Sequence, residues 1–261
     1  MKIDTIIQAR IDSTRLPGKV LMKLDGITVL RCLFDQLTYS KLLDRKILAT
    51  TINKSDDVIV DFANSNGLEL FRGNSFDVLD RYYQCAKQFT IKHIVRITSD
   101  CPLIDPEIID ETIQHYKNGK FDYVNNFYKK RFPYGTEVEV FSFDTLEKTW
   151  KEANKPSERE HVTPYIYKNP DKFSIGYIEP DQDYSHLHWA IDRFEDLTLV
   201  KIIYERIKKK PIHISDILRV IKEDPSILTI NQKSVPDEGY LKSLEKDKKY
   251  EHSSKNDKKF T

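Results

Sequence analysis

The sequence predicts an α/β fold in which a mixed, mainly parallel sheet is flanked by helices. The first half of the chain alternates short β-branched runs with amphipathic segments, which is the pattern of βαβ units that feed a parallel sheet. The second half loses this rhythm, so we expect a mixed or antiparallel edge to the sheet. A chain of 261 residues, 39 % of them hydrophobic, can bury the core of one main domain.

The first half supplies four strands and three helices in alternation. Its apolar, β-branched runs predict strands at residues 3–9, 46–51, 68–72 and 93–98. Helices are expected between them, at residues 28–39, 55–66 and 77–89. Each of these helices has a Thr, Ser or Asp near its start, and such side chains cap the free amide groups of a helix N-terminus.

The second half is less regular. A helix is expected to open at Pro106, because proline is well tolerated in a first helical turn. Further strands are expected at residues 122–126, 137–143 and 173–178, and a short apolar run at residues 189–191 would end another. We assign residues 1–230 to the folded domain. After Tyr240 seven Lys accompany only four acidic residues, so we expect residues 231–261 to form a charged, disordered tail.

The composition argues against nucleic acid or a membrane as the partner. The chain has 42 Lys+Arg against 41 Asp+Glu, a net charge of +1, so any site for an anion must be local. Cys32, Cys85 and Cys101 are widely spaced and never form a CxxC pair, which favours reduced thiols over disulfides or a zinc site. No segment has the apolar length of a membrane span or a signal-peptide core, so we expect a cytoplasmic protein.

One loop concentrates the positive charge. Directly after the first predicted strand, residues 10–19 hold three cations, Arg10, Arg15 and Lys19, together with the hydroxyls of Ser13 and Thr14. Loops at the carboxyl ends of strands in open α/β sheets commonly bind phosphates. Ordinary surface cations around a turn are the alternative, although their mutual repulsion disfavours it unless an anion binds. The spacings of a P-loop and of a dinucleotide-binding fingerprint are both missing.

This loop resembles a known signature. The string R-x-x-S-T-R-L-P-G-K at residues 10–19 is similar to that of cytidylyltransferases that activate acidic sugars, such as the CMP-Kdo and CMP-sialate synthetases, and to the spore coat polysaccharide biosynthesis cytidylyltransferase-like group. The resemblance implies a Rossmann-like nucleotide-diphospho-sugar transferase fold and spans roughly residues 1–207. Further matching segments are FRG at 71–73, DVLDR at 77–81, RITSDCPLID at 96–105, EVEVFS at 137–142, EREHVTPY at 158–165, ID at 191–192 and EDL at 195–197.

The loop and the resemblance together suggest a nucleotide site. We expect Arg10, Ser13, Arg15 and Lys19 to hold a triphosphate and Lys19 also to neutralise the leaving pyrophosphate. Arg15 and Lys19 are therefore catalytic candidates, together with Asp100. The other nucleotide-binding candidates are Ala9 and Ile11, through backbone groups that read the base, and Arg72, Arg81 and Ser99. A surface ion pair is the alternative for the two later arginines, for instance between Arg81 and Asp77.

Nucleotidyl transfer also calls for a divalent cation, and two carboxylates are candidates to bind Mg²⁺. Asp100 follows the apolar run IVRITS, so it should lie at the carboxyl end of that strand beside the loop. Asp192 follows the shorter run at residues 189–191, and the resemblance places it opposite Asp100. Each could instead cap a helix, a role for which Asp105 is the better candidate.

A second group of polar residues could line the pocket for the acceptor. His161 is the most attractive general base among them, although a single His before a helix is more often a packed or capping residue. The candidate acceptor-binding residues are Tyr134, Glu137, Glu139, Arg159, Glu160 and His161.

These observations predict an enzyme, a CTP-dependent cytidylyltransferase. It would use Mg²⁺ to transfer CMP to an acidic sugar or a related phosphorylated or carboxylated acceptor, with release of pyrophosphate, for surface polysaccharide biosynthesis. The alternatives are a glycosyltransferase that uses a nucleotide-sugar, which the missing DxD pair at Asp100-Cys101-Pro102 disfavours, and a non-catalytic nucleotide-binding scaffold. Related synthetases commonly form dimers, so the resemblance also suggests a homodimer.

Overall fold

The chain builds one large sheet and one small one. The structure, a computed structural model, describes residues 1–257, and the side chains up to residue 252. In this part of the chain a seven-stranded sheet has the order β5-β4-β1-β6-β8-β7-β9, and β2 and β3 form a hairpin. The strands are β1 Asp4–Gln8, β2 Lys23–Leu24, β3 Ile27–Thr28, β4 Lys46–Thr51, β5 Glu69–Gly73, β6 His93–Thr98, β7 Tyr123–Asn125, β8 Glu139–Ser142 and β9 Ile175–Tyr177.

The strand directions agree with the sequence pattern. β1 runs parallel to both β4 and β6, and β4 runs parallel to β5. β8 is antiparallel to β6 and β7, while β9 returns parallel to β7. The predicted parallel half and the mixed edge are therefore both confirmed. In the central pair Gln8 lies opposite Thr98, so the carboxyl ends of β1 and β6 are adjacent.

Helices cover both faces of the sheet. Three of the predicted N-terminal caps are present, because the side chains of Thr28, Asp77 and Asp105 accept hydrogen bonds from the first turns of α1, α3 and α4. The helices are α1 Val29–Leu37, α2 Asp57–Ser65, α3 Val78–Gln88, α4 Pro106–Asn118, α5 Phe143–Glu152, α6 Pro156–His161, α7 Pro164–Tyr167, α8 Phe194–Arg206, α9 Ile214–Glu223 and α10 Glu238–Asp257.

The core has a layer on each side of the sheet. Successive residues of β1 point to opposite faces, so Ile7 packs in the cluster with α1 and α4 whereas Ile6 packs in the cluster with α3 and α5. A third cluster joins Trp189 and Ile191 to α8 and α9. Cys32, Cys85 and Cys101 are free and buried, as expected for reduced thiols. No helix within residues 1–257 is long and apolar enough to cross a membrane.

Residues 189–191 do not form the predicted strand. One isolated bridge joins Tyr134 to His188, and the amide groups of the following residues bond to loop backbone instead of to a neighbouring strand. The Trp189 N–H donates to the Tyr134 carbonyl at 2.8 Å, and the Ile191 N–H donates to the Asp100 carbonyl at 2.9 Å. The apolar side chains are buried, but the backbone is satisfied irregularly, which hydrophobicity alone does not reveal.

The prediction of a disordered tail from residue 231 is also wrong within the described residues. The chain forms the 20-residue helix α10, which packs against α6. Its docking face is polar. Ser243 and Asp247 are 1 % and 6 % exposed, and Asp247 accepts hydrogen bonds from the Ser157 N–H at 2.8 Å and hydroxyl at 2.6 Å. Because the two fully buried positions of that face, Ser243 and Asp247, are polar, the hydrophobic pattern gave little sign of packing. The expectation for residues 258–261 lies outside the described residues.

Candidate active site

A cavity of about 550 Å³ opens at the adjacent carboxyl ends of β1 and β6. The loop after β1 forms one wall, α3 and the end of α6 form the next, and the first turns of α10 complete it. The lining residues include Gln8, Ala9, Arg10, Ser13, Thr14, Arg15, Lys19, Val78, Arg81, Arg96, Thr98, Ser99, Asp100, Cys101, Tyr134, Glu137, Glu160, His161, Ala190, Asp192, Asp237, Gly239, Tyr240, Lys242, Ser243 and Lys246.

The loop after β1 is folded back on itself by its backbone. The N–H groups of Ser13 and Gly18 both donate to the Ile11 carbonyl, at 2.7 and 2.9 Å. Gly18 adopts φ 74°, in the left-handed region that favours glycine, and this reversal precedes the short 3₁₀ turn that begins at Lys19. The Ile11 N–H donates to the Asp56 carboxylate at 2.7 Å. The sequence therefore folds the loop so that Lys19 enters the protein instead of solvent.

Lys19 lies between the two predicted metal ligands. Its Nζ donates to Asp100 Oδ2 at 2.7 Å, to Asp192 Oδ1 at 3.0 Å and to the Ile191 carbonyl at 2.6 Å. Arg15 Nη2 reaches the same Asp192 oxygen at 2.5 Å. Two carboxylates that come from distant parts of the chain thus converge on one small cation, and the phosphate-loop cations are close beside them.

Electrostatic interactions keep Lys19 and Asp100 charged. Burial by itself would lower the pKa of Lys19, but Asp100 and Asp192 outweigh it, and the pKa of the ammonium is raised. Burial would likewise raise the pKa of Asp100, yet the attraction and hydrogen bond of Lys19 lower it to about 2. Asp100 is therefore ionised at neutral pH, which is the form of a carboxylate that binds a metal ion.

The helix-cap alternative does not account for either carboxylate. Asp105 caps α4, since it accepts from the Glu107 N–H at 2.9 Å, and its other oxygen accepts from Ile214. At α8 the capping group is Asp196, which accepts from the backbone of Asp192 and Arg193. Asp100 and Asp192 thus keep their oxygens directed at Lys19. Two carboxylate oxygen donors within reach of one cation fit the ligand preference of Mg²⁺.

Arg81 and Arg72 have different surroundings. Arg81 is 1 % exposed and lines the cavity; its Nε donates to the Asn74 carbonyl, and its Nη2 has no hydrogen-bond partner among the described residues. Burial and the nearby Arg10 lower the pKa of Arg81 to about 10, so it stays charged at neutral pH. The alternative ion pair with Asp77 is wrong, because Asp77 instead pairs with Arg159 at 2.5 Å.

Arg72 is not brought to the cavity. It forms an ion pair with Asp57 at 2.8 Å and donates to the carbonyls of Thr51 and Asn53, both at 2.9 Å. It lies on β5, the strand at the edge of the sheet, which places it away from the ends of β1 and β6. The structure thus assigns Arg72 a structural role and contradicts its placement at the nucleotide.

Some of the acceptor candidates lie at the cavity and others do not. Tyr134, Glu137, Glu160 and His161 line the cavity, whereas Glu139 and Arg159 do not. Glu139 is buried in contact with Arg96 and accepts from the Tyr123 hydroxyl at 2.7 Å. Arg159 is occupied by Asp77 and by backbone carbonyls of the α5 C-terminal end. Ile11, expected at the base, is also absent from the lining. The Arg96–Glu139 and Arg159–Asp77 ion pairs join the walls of the protein beside the cavity.

His161 is an uncharged polar group in this site. Its Nε2 lies 3.0 Å from the Ser243 hydroxyl, and its ring packs edge-on to Tyr240. Burial lowers the pKa of His161 to about 4, although the adjacent Glu160 acts in the opposite direction. A base this weak is poorly matched to proton abstraction at neutral pH, so the general-base hypothesis loses support. Hydrogen bonding to a ligand hydroxyl suits a neutral imidazole better.

The pKa of Glu137 is shifted in the opposite direction to that of His161. Burial raises the pKa of Glu137 to about 8, with Asp100 and Asp237 adding to the effect, even though the Gly135 N–H donates to the carboxylate at 2.9 Å. Gly135 adopts φ 108°, and a side chain there would meet the Ala190 backbone nitrogen at 2.5 Å. Only glycine permits this close approach, which brings Glu137 and the segment before Asp192 to one wall.

Sequence reasoning missed several lining residues. Arg96 alternates with apolar neighbours along β6, and a cation at an inward position of a buried strand is a signal that could have identified it. Its guanidinium pairs with Glu139 and donates to Gln8 Oε1 at 3.3 Å. The α10 residues carried only a weak signal, the helical spacing of Tyr240, Ser243 and Asp247.

Comparison with known proteins finds related chains. A family model described as cytidylyltransferase matches residues 5–246. An uncharacterized protein of Methanocaldococcus jannaschii is 42 % identical over 233 residues, which are 88 % of this chain and 95 % of that protein. The spore coat polysaccharide biosynthesis protein SpsF of Bacillus subtilis is 31 % identical over 233 residues, 86 % of this chain and 95 % of that protein.

The fold comparison is consistent with these matches. The structure of a cytidylyltransferase from Leptospira borgpetersenii serovar Hardjo-bovis aligns with a TM-score of 0.84 at 34 % identity, and the alignment covers 90 % of this chain and 98 % of that one. This likeness confirms the predicted Rossmann-like α/β fold with its mixed, mainly parallel sheet. The family match extends to residue 246 and so includes the part of α10 that lines the cavity.

Proposed function

Because this chain belongs to the cytidylyltransferase family, we propose that it transfers CMP from CTP to a small acidic acceptor and releases pyrophosphate. Membership makes it a nucleotidyltransferase; the acceptor is the proposed part. The observation that carries the proposal is the contact of Lys19 with both Asp100 and Asp192, at 2.7 and 3.0 Å, beside the cationic loop. A triphosphate and a divalent cation would each find ligands there.

The loop residues supply the electrostatic part of the reaction. An acceptor oxygen would form a bond to the α-phosphorus while the bond from that phosphorus to the bridging oxygen breaks, and the electron pair leaves with pyrophosphate. Arg10, Ser13 and Arg15 would hold the phosphates in line for this displacement. Lys19 would stabilise the charge that develops on the pyrophosphate oxygens. An ionised acceptor oxygen would need no dedicated base.

The two aspartates would hold Mg²⁺. When bound, such an ion neutralises negative charge on phosphate oxygens and helps to orient them. Arg15 contacts Asp192, and Lys19 contacts both Asp100 and Asp192, so both cations are positioned to transfer to the phosphates once the carboxylates have another partner. Arg81, buried and with an Nη2 that has no partner within the described part of the chain, would contact the nucleotide on the α3 side of the cavity.

The opposite wall suits an acceptor that carries hydroxyl groups. Tyr134, Glu137 and the neutral His161 offer hydrogen bonds there, and Arg10 at the start of the phosphate loop, 4.0 Å from Glu160, supplies positive charge beside them. An acidic sugar or a related phosphorylated or carboxylated compound combines both chemistries. The Bacillus subtilis relative is named for spore coat polysaccharide biosynthesis, which supports a role in making a surface polysaccharide precursor.

Pyrophosphate release tests this proposal. The purified protein is incubated with Mg²⁺, each of the four nucleoside triphosphates and a panel of acidic, phosphorylated and neutral sugars. We expect release with CTP and an acidic acceptor, and loss of release in Asp100→Asn. Arg72→Met is the matched control, because Arg72 lies outside the cavity and should leave turnover intact. Release with a purine nucleotide alone, or full activity in Asp100→Asn, would refute the proposal.

A further inference from the structure

The first turn of α10 contacts the phosphate loop through Glu238. Its carboxylate lies 3.7 Å from Arg15 Nη1, 2.9 Å from Arg193 Nη2 and 2.6 Å from Lys242 Nζ. The neighbouring Gly239 packs on the same guanidinium, since a Cβ placed there would lie 3.5 Å from Arg15 Nη1. Arg15 is thus enclosed between Asp192 on one side and the start of α10 on the other.

The remainder of α10 is anchored independently of the loop. Asp247 binds the N-terminal turn of α6 through Ser157, and the Ser243 hydroxyl donates to Glu160 at 2.9 Å. Neither anchor involves Arg15. The contact between Glu238 and Arg15 can therefore be exchanged while the helix keeps its place against α6.

A triphosphate on this loop would compete with Glu238. Arg15 already has two anionic neighbours, and a phosphate bound to it would lie close to the Glu238 carboxylate. Two negative charges at such a distance repel, most strongly where the groups are partly buried, and the Glu238 side chain is only 19 % exposed. The ligand must displace Glu238 from Arg15 or bind against its charge.

We propose that Glu238 sets the affinity of the triphosphate site, because its carboxylate occupies Arg15 before the nucleotide arrives and opposes nucleotide binding. This inference rests on the proposed function of the loop. Glu238 also suits the N-terminal turn of a helix and pairs with Lys242 one turn later. That structural role predicts weaker binding when the carboxylate is removed, whereas competition with the ligand predicts tighter binding.

Calorimetric titration of Glu238→Gln separates the two roles. The ligands are CTP and inorganic tripolyphosphate, which has no base, each with Mg²⁺. We expect Glu238→Gln to bind both ligands roughly three- to tenfold more tightly than the parent protein, the range for a partly exposed ion pair. Glu245→Gln is the matched control, because it makes the same charge change at an exposed site of α10 outside the cavity. Its affinities should not change.

A second variant tests whether a disturbed α10 helix, instead of the lost contact with Arg15, changes the affinity. Glu238→Asp keeps a negative charge at the start of α10 but shortens the side chain that reaches Arg15, so its affinities should lie between those of the parent protein and Glu238→Gln. Equal or weaker binding by both Glu238 variants overturns the inference, as does equal tightening in Glu245→Gln. If the parent protein binds neither CTP nor tripolyphosphate, the proposed function itself fails.

Discussion

Arg81 is the residue whose burial is hardest to explain by stability alone. A guanidinium that is 1 % exposed and has an unpartnered Nη2 among the described residues is unfavourable until a ligand accepts its hydrogen bond. Arg81 and Arg72 lie near the same connection in the sequence, and nothing in the residue types distinguishes them. The packing does, because Arg72 lies on the edge strand β5 and Arg81 projects from α3 into the cavity.

Replacement of Arg81 should therefore affect stability and binding in opposite directions. We expect Arg81→Met to unfold at the same temperature as the parent protein or higher, since a buried unpartnered charge is removed. CTP binding should weaken by roughly 10- to 100-fold, the loss of one charge-assisted hydrogen bond. Thermal unfolding and calorimetry measure both. A destabilised variant with unchanged CTP affinity would show that Arg81 is a structural residue.

His161 makes a prediction about pH. Its pKa is lowered by burial to about 4 in the folded protein, below the 6.5 of an unperturbed imidazole. Between these values the unfolded chain binds a proton that the folded chain does not, so the free energy of unfolding falls as the pH drops from 6.5 toward 4. The slope from this group is at most about 1.4 kcal/mol per pH unit.

Urea unfolding of the parent protein and of His161→Gln at several pH values measures this effect. The difference in stability between the two should be constant above pH 6.5 and should shift in favour of His161→Gln as the pH falls toward 4. A difference that does not vary with pH would contradict the burial of a neutral imidazole. Kinetic pH profiles should show no ionisation of His161 near neutrality.

At the scale of elements, the sequence predicted correctly those strands and helices whose position is set by hydrophobic periodicity. The strands at residues 46–51 and 93–98 match the structure residue for residue, because β-branched apolar runs alternate there with capped helices. Residues 189–191 and α10 were mispredicted for related reasons. The first segment is apolar but bonded irregularly, and the second is regular but docks through polar residues such as Ser243 and Asp247.

The docking of α10 should depend on Asp247. This carboxylate is 6 % exposed and accepts two hydrogen bonds from Ser157 at the start of α6. We expect Asp247→Ala to lose about 1–3 kcal/mol of local stability, because both donors of Ser157 would be left unsatisfied. Hydrogen exchange of the α10 amides should accelerate, whereas the exposed control Lys248→Ala should exchange like the parent protein. Unchanged hydrogen exchange in Asp247→Ala would show that contacts other than those of Asp247 stabilise the docking of α10.

For the whole molecule, the nearly neutral composition gives no sign of a site in which cations and carboxylates are concentrated. The sheet brings the cationic loop after β1, Asp100 after β6 and the distant Asp192 to one edge. The loop motif and the strand ends made the first two predictable from the sequence. The contact with Asp192 and the covering position of α10 depend on tertiary packing, which single-residue patterns do not encode. The acceptor wall depends on tertiary packing in the same way, since it combines distant segments that include Tyr134, Glu137 and His161.

A crystal structure with CTP and Mn²⁺ in place of Mg²⁺ tests the central claim most directly. Anomalous scattering locates the metal ion independently of the nucleotide. We predict that the ion is bound by the carboxylates of Asp100 and Asp192, and that the triphosphate contacts Arg15 and Lys19. A metal ion bound away from both aspartates, or a triphosphate outside the loop of residues 10–19, would contradict the proposed nucleotidyl-transfer site.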